Sequence, residues 1–187
     1  MDTTEMISTK RRLNTVDMVY IAIGAALMAI CSWISIPAAV PFTLQTFAVF
    51  TILALLGGRR GTFSILVYLL IGLIGAPVFA GFASGPGVLF GSTGGYLIGF
   101  LLTGVLYDFA VKVFKKTLLV EVISLVIGLF ACYALGTVWF MVVYARNSGA
   151  IGIMTALGWC VFPFVIPDLI KLALGFIVAK RVRPVIH

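Results

Sequence analysis

Asp168 and Lys171 are charges in a stretch that otherwise suits lipid. They lie three residues apart in the apolar segment from Met154 to Ala179, and Lys180 and Arg181 mark where that segment meets the surface. Counted along a helix from Lys180, Lys171 lies about 13 Å in and Asp168 about 18 Å in. Ions at such depth are expensive and face a cavity or one another. Two readings follow. The pair either fastens its own helix as an i, i+3 contact, or it offers a ligand one acceptor and one donor whose charge-assisted bonds strengthen in a low-dielectric pocket. Pro167 supports the second reading, because it frees backbone groups just before the pair.

Other chemistries are excluded by what is missing. The one histidine is His187, the last residue, so there is no internal partner for a Ser-His nucleophile, a zinc helix or a histidine relay. Cys31, Cys132 and Cys160 each sit inside an apolar run without C-x-x-C spacing and read as small buried hydrophobes. Gly85-x-Gly87 is followed by Phe90 where a dinucleotide fingerprint needs glycine, and no phosphate-loop motif occurs. Ser84 lacks the flanking glycines of a hydrolase serine. The chain reads as a non-enzyme with no metal site and no cofactor.

Composition indicates the solvent. Of 187 residues, 62% are hydrophobic and 10% charged, and the mean hydropathy is +1.20; soluble domains run at about 45–50% apolar and about 25% charged. A net charge of +7 suits nucleic acid only if the cations share a surface, and here they fall between apolar segments, so no nucleic-acid partner is expected. The run from Met18 to Val40 is too long for a signal-peptide core and reads as a retained helix.

Six helices must position the pair. The first runs from Asp17, capped by Thr15 or Asn14, to about Ile36, where Pro37 and Pro41 turn the chain. The second (Phe42 to Gly57) and third (Gly61 to Ala76) span about 16 residues, roughly 24 Å, short against a core of about 30 Å. A turn at Gly57-Gly58-Arg59-Arg60 joins them, so their far ends stop below the opposite surface and leave room for a pocket. The fourth runs from Ser92 to about Phe114, the fifth from Leu118 to about Tyr144, and the sixth from about Met154 to Ala179, interrupted by Pro163 and Pro167. Arg146 to Gly149 form the loop between the last two.

Between the third and fourth helices, Pro77, Pro86 and a run of glycines forbid a continuous helix through Tyr68 to Phe100. Non-helical backbone at membrane depth is tolerated where it lines a cavity, so this folded-in loop is the expected pocket wall. Lys10, Arg11, Arg12, Arg59, Arg60, Lys112, Lys115, Lys116, Lys180, Arg181 and Arg183 lie on the side of the termini, and only Arg146 on the other. By the positive-inside rule both termini are cytoplasmic and the pocket faces outward. Residues 1–187 read as a single transmembrane domain, with residues 1–13 a flexible cytoplasmic tail.

Several stretches carry a resemblance. GRRGTFSILVYLLIGLIGAPVFAGFASG followed by GSTGGYLIGF, together with PFTLQTF at Pro41 to Phe47 and PDLIK at Pro167 to Lys171, resembles BioY, the biotin-specific S component of energy-coupling factor (ECF) transporters. It spans nearly the whole chain from the first apolar segment onward. Ser92 departs from the pattern, standing where many relatives have proline. The resemblance implies a membrane protein of the prokaryotic plasma membrane that captures extracellular biotin with high affinity. It further implies delivery inward with an ATP-driven module of one transmembrane coupling subunit and two ATPases.

Biotin has ureido N–H donors, a ureido carbonyl, an apolar bicycle with a thioether and a carboxylate tail. Asp168 matches a ureido N–H, and Lys171 matches the ureido oxygen or the carboxylate. Gln45 is a further ligand contact by the family match or else a capping or interhelical residue, and Thr43 beside it is a ligand-binding candidate whose hydroxyl also suits a cap for the second helix. Phe79, Phe82 and Tyr96 are candidate walls for the bicycle, whereas Trp139, Tyr144 and Trp159 suit an aromatic belt. Ala22, Ala25, Ala26 and Ala29 put small side chains on one face of the first helix, which serves packing within the chain or, as the resemblance implies for Ala-x-x-x-Ala, docking of the coupling subunit. The alternatives are a solitary proton-coupled transporter of biotin or a related vitamin using Asp168, Asp108 or Glu121, and a non-transporting scaffold.

Overall fold

A reciprocal cap starts the first helix. In the computed structural model, which describes residues Leu13–Ile186, Asn14 Oδ1 accepts the Asp17 amide at 2.8 Å and Asp17 Oδ2 accepts the Asn14 amide at 3.1 Å. This satisfies two amides of the helix start. Helix α1 therefore spans Thr15–Trp33, starting before Asp17 and ending short of Ile36. Lys10, Arg11, Arg12, His187 and the tail expected to be flexible up to residue 12 lie outside the described residues.

After α1 comes a departure from the all-helical expectation. Pro37 and Pro41 do turn the chain, but the turn closes an antiparallel pair, β1 (Ser35–Ile36) with β2 (Phe42–Thr43). Helix α2 consequently begins at Gln45 and runs to Leu56. The expected Gly57-Gly58-Arg59-Arg60 turn is also corrected. Gly57 alone, at φ +82°, reverses the chain, and α3 starts at Gly58 and ends at Leu73. Arg59 and Arg60 are thus helical, and Arg60 reaches Asp17 of α1 at 2.5 Å.

The folded-in loop is present. It holds a 3₁₀ turn at Ala80–Phe82 and a short α4 (Pro86–Leu89), and the Gly85 amide donates to Gly72 O at 2.7 Å, tying the loop back to α3. Helix α5 follows over Gly94–Val113 and α6 over Leu118–Ser148, so Arg146 to Ser148 extend a helix where a loop was expected. The sixth apolar segment is two helices, α7 (Ile153–Cys160) and α8 (Phe162–Ile186). They break at Val161, and Pro163 falls in the first turn of α8, where a missing N–H is harmless. Pro167 lies within α8 without ending it.

Small residues set the packing. The most extensive contact is α5 on α6, followed by α2 on α8 and α1 on α3. A β-carbon at Gly99 would lie 2.6 Å from Cys132 Sγ, and one at Gly128 2.6 Å from Thr103 Cγ2, so those backbones approach too closely for a larger residue. Among the described residues, four segments are long and apolar enough to cross a membrane: α1, α5, α6 and the composite Ile153–Val185. Helix α2 is apolar but has only 12 residues, and α3 has 16.

Candidate functional site

The pocket forms where the short helices stop. A cavity of about 300 Å³ lies beneath the hairpin and the folded-in loop, between α2, α5, α6 and α8. Helix α8 brings Asp168 and Lys171 to its wall, where they are 3% and 6% exposed and bonded to each other at 2.9 Å. Both readings of the pair therefore share one geometry: the ions bond each other and also border the cavity.

Each ion is further held by neighbouring elements. Asp168 Oδ1 also accepts the Thr46 hydroxyl of α2 at 2.8 Å, and Oδ2 accepts the Tyr133 hydroxyl of α6 at 2.7 Å. Lys171 Nζ donates to the Thr43 carbonyl at 2.6 Å and lies 4.0 Å from the centre of the Phe42 ring. Buried charges persist only when satisfied in this manner. The result is a fixed ammonium–carboxylate edge in a largely apolar chamber, suited to a ligand that presents a donor beside an acceptor.

The second-helix residues gather at the same wall. The Thr43 hydroxyl accepts the Gln45 amide at 3.2 Å, and Gln45 Nε2 donates to the Tyr68 hydroxyl at 3.0 Å. Gln45 and Thr43 both border the cavity, as do Phe79 and Tyr96. Tyr96 is oriented by a 3.0 Å hydrogen bond with Thr137. Cys132 and Cys160 also border the cavity, buried as expected.

Phe82 is not among these residues. It is 62% exposed and stacks on Trp33 with ring centroids 5.2 Å apart, on the outer side of the loop. At φ +59° it occupies a left-handed conformation that a bulky residue rarely takes, which turns its ring toward α1. Phe82 thus packs against α1 and does not wall the cavity. Trp33 Nε1 adds a 2.8 Å bond to Pro77 O, and Trp139 Nε1 holds Gly91 O at 2.9 Å, so two indoles fasten the ends of the loop that roofs the cavity.

Residues 5–187 match the sequence model of the BioY family. The chain belongs to the BioY family. It is 40% identical over 162 residues to the biotin transporter BioY of Thermotoga maritima, covering 86% of this chain and 92% of that one. It is 43% identical over 120 residues to the biotin transporter BioY2 of Lactococcus lactis, covering 64% of this chain and 66% of that one. Among solved structures it resembles the S-component for biotin from an ECF-type ABC transporter, with TM-score 0.79, 29% identity, and coverage of 90% and 91% of the two chains.

In this BioY-family chain two cavity residues, Thr46 and Tyr133, escaped the sequence reading. Thr46 is the residue after Gln45 in PFTLQTF and faces α8. Tyr133 follows Cys132 within the Gly128, Cys132, Gly136 series that marks the α5-facing side of α6. That spacing was available in the sequence; its bond to a residue 35 positions away was not.

The small face of α1 divides in two. Ala25 and Ala29 are buried within the chain, while Ala22 and Ala26 are exposed. The other two carboxylates considered for proton coupling are engaged far from the pocket pair. Asp108 pairs with Lys112, and buried Glu121 accepts from Tyr107 at 3.1 Å and Arg183 at 2.9 Å, with Lys116 at 3.6 Å.

Proposed function

We propose that this chain is the biotin-capturing S component of an ECF transporter: it binds extracellular biotin with high affinity and delivers it inward with a coupling membrane subunit and two ATPases. The observation that carries the reading is the buried Asp168–Lys171 edge bordering a roofed cavity. It gains support from the biotin transporters and the biotin S-component that the chain resembles. Residues 1–187 act as one transmembrane unit of the plasma membrane, surrounded by lipid, with no cofactor or metal.

In this arrangement Asp168 accepts a ureido N–H. Lys171, only 2.9 Å away, meets the same end of the ligand and donates to the ureido oxygen, because a ureido group presents donor and acceptor side by side. Gln45 and Thr43 complete that end, and Phe79 and Tyr96 enclose the bicycle. The carboxylate then falls to another part of the wall, where Ser92 and Thr93 supply hydroxyls. Six spans, counting α2 and α3 as short ones and α7–α8 as one, put both termini in the cytoplasm by the distribution of cations.

Uptake tests the division of labour. Vesicles carrying this chain with the coupling subunit and both ATPases are expected to accumulate biotin only with ATP. Accumulation by the chain alone, collapsed by an uncoupler, contradicts the reading and supports proton coupling.

A further inference from the structure

At the end of the molecule carrying the termini, α6 and α8 diverge. Their backbones scarcely touch there, and a cleft of about 510 Å³ opens between them, walled by Leu118 and Val122 of α6 and Phe176 and Ile177 of α8, with Lys180 and Arg181 at its rim. Leu119 and Ile123 continue the apolar surface outward along α6 and Leu174 along α8, all about half exposed or more. This cleft is distinct from the biotin cavity and shares no lining residue with it.

Its charges are not neutralised from within. Lys180 and Arg181 are exposed and form no ion pair among the described residues. The nearby acid, Glu121, is buried and already held by Tyr107, Arg183 and Lys116. Lys115 precedes α6, adding to the positive field. A cleft lined by apolar side chains and two cations without an ion pair among the described residues is complementary to an amphiphile with a chain and an anionic head. Basic sites between transmembrane helices at the cytoplasmic side hold anionic lipid head groups by the same physics.

We propose that the α6–α8 cleft binds one anionic phospholipid, its acyl chain against Phe176, Ile177, Leu118 and Val122 and its phosphate against Lys180 and Arg181. The lipid fills the gap between two helices that otherwise meet mainly through side chains, and it anchors this end of the molecule in the anionic leaflet. The site does not depend on the identity of the transported ligand.

The test is native mass spectrometry of the detergent-solubilised full chain with equal phosphatidylglycerol and phosphatidylcholine. Two cations near a head group are expected to give retention of one phosphatidylglycerol with a preference of about 10- to 30-fold. Replacing both cations (Lys180→Gln with Arg181→Gln) is expected to bring the two lipids to parity, with the helical spectrum and melting temperature confirming a folded variant. Glycerol phosphate, which has the anionic head without the chains, is expected not to displace the lipid. Equal retention of both lipids by the unaltered chain, a preference that survives the double substitution, or displacement by glycerol phosphate overturns the proposal.

Discussion

Asp168 holds three hydrogen-bond donors from three helices, so its removal acts on folding as well as binding. Asp168→Asn leaves Lys171 buried against the Thr43 carbonyl and the Phe42 ring alone, and an unpaired buried ion costs about 3–5 kcal/mol. The expected outcome is loss of tight biotin binding together with a lowered melting temperature, read by titration and thermal unfolding. Tyr133→Phe separates the two effects. It removes one bond to a charged oxygen, about 1.5–3 kcal/mol, while keeping the ring; biotin affinity is expected to fall about tenfold with the protein still folded, and unchanged affinity would reduce Tyr133 to a packing residue. The burial of Asp168 and Lys171 as a mutual pair was legible from their depth in an apolar run and their i, i+3 spacing. The Thr46 and Tyr133 bonds were not, because a hydroxyl in an apolar helix carries no mark of which distant helix it will meet.

Helix faces and the loop over the cavity wall the chamber that the pair borders. A β-carbon at Gly136 would fall 2.2 Å from the Tyr96 ring, which also borders the cavity. Gly136→Ala therefore must displace Tyr96, and overpacking of this kind costs about 1–3 kcal/mol; a lower melting temperature and weaker biotin binding are expected together. Trp33 ties the loop to α1. Trp33→Ala deletes the stack on Phe82 and the bond to Pro77, interactions worth about 0.5–1.5 and about 1 kcal/mol. Biotin release is expected to quicken about tenfold or more by stopped-flow, and an unaltered release rate would deny the roof a gating role. Prolines and glycines made the presence of this loop readable from the sequence. Phe82 was misplaced because its side depends on a left-handed backbone that the residue type disfavours, and the hairpin at Ser35 to Thr43 was missed because two-residue strands are too short to show alternation.

For the whole molecule, the proposed capture and delivery make separable demands. Ala26 is exposed on α1, whereas Ala25 and Ala29 pack inside the chain. Ala26→Trp is expected to leave biotin titration as in the unaltered chain and to lower ATP-driven uptake by the assembled transporter. Ala29→Trp is expected to destabilise the chain itself, read as a lower melting temperature. The sequence delivered both alanine pairs on nearly one face, and only the packing of α1 against α2 and α3 divides them. Its apolar segments likewise anticipated the helices, while their ends shifted wherever Gly57 or the Asn14–Asp17 cap decided a boundary locally. The claim on which the rest depends is selective capture of biotin by this chain alone, and calorimetric titration of the purified protein, freed of carried-over ligand, with biotin and with thiamine and riboflavin as controls tests it most directly. Tight one-to-one biotin binding without ATP and no heat from either control is the expected result. A folded protein that gives no biotin heat, or binds all three alike, contradicts it.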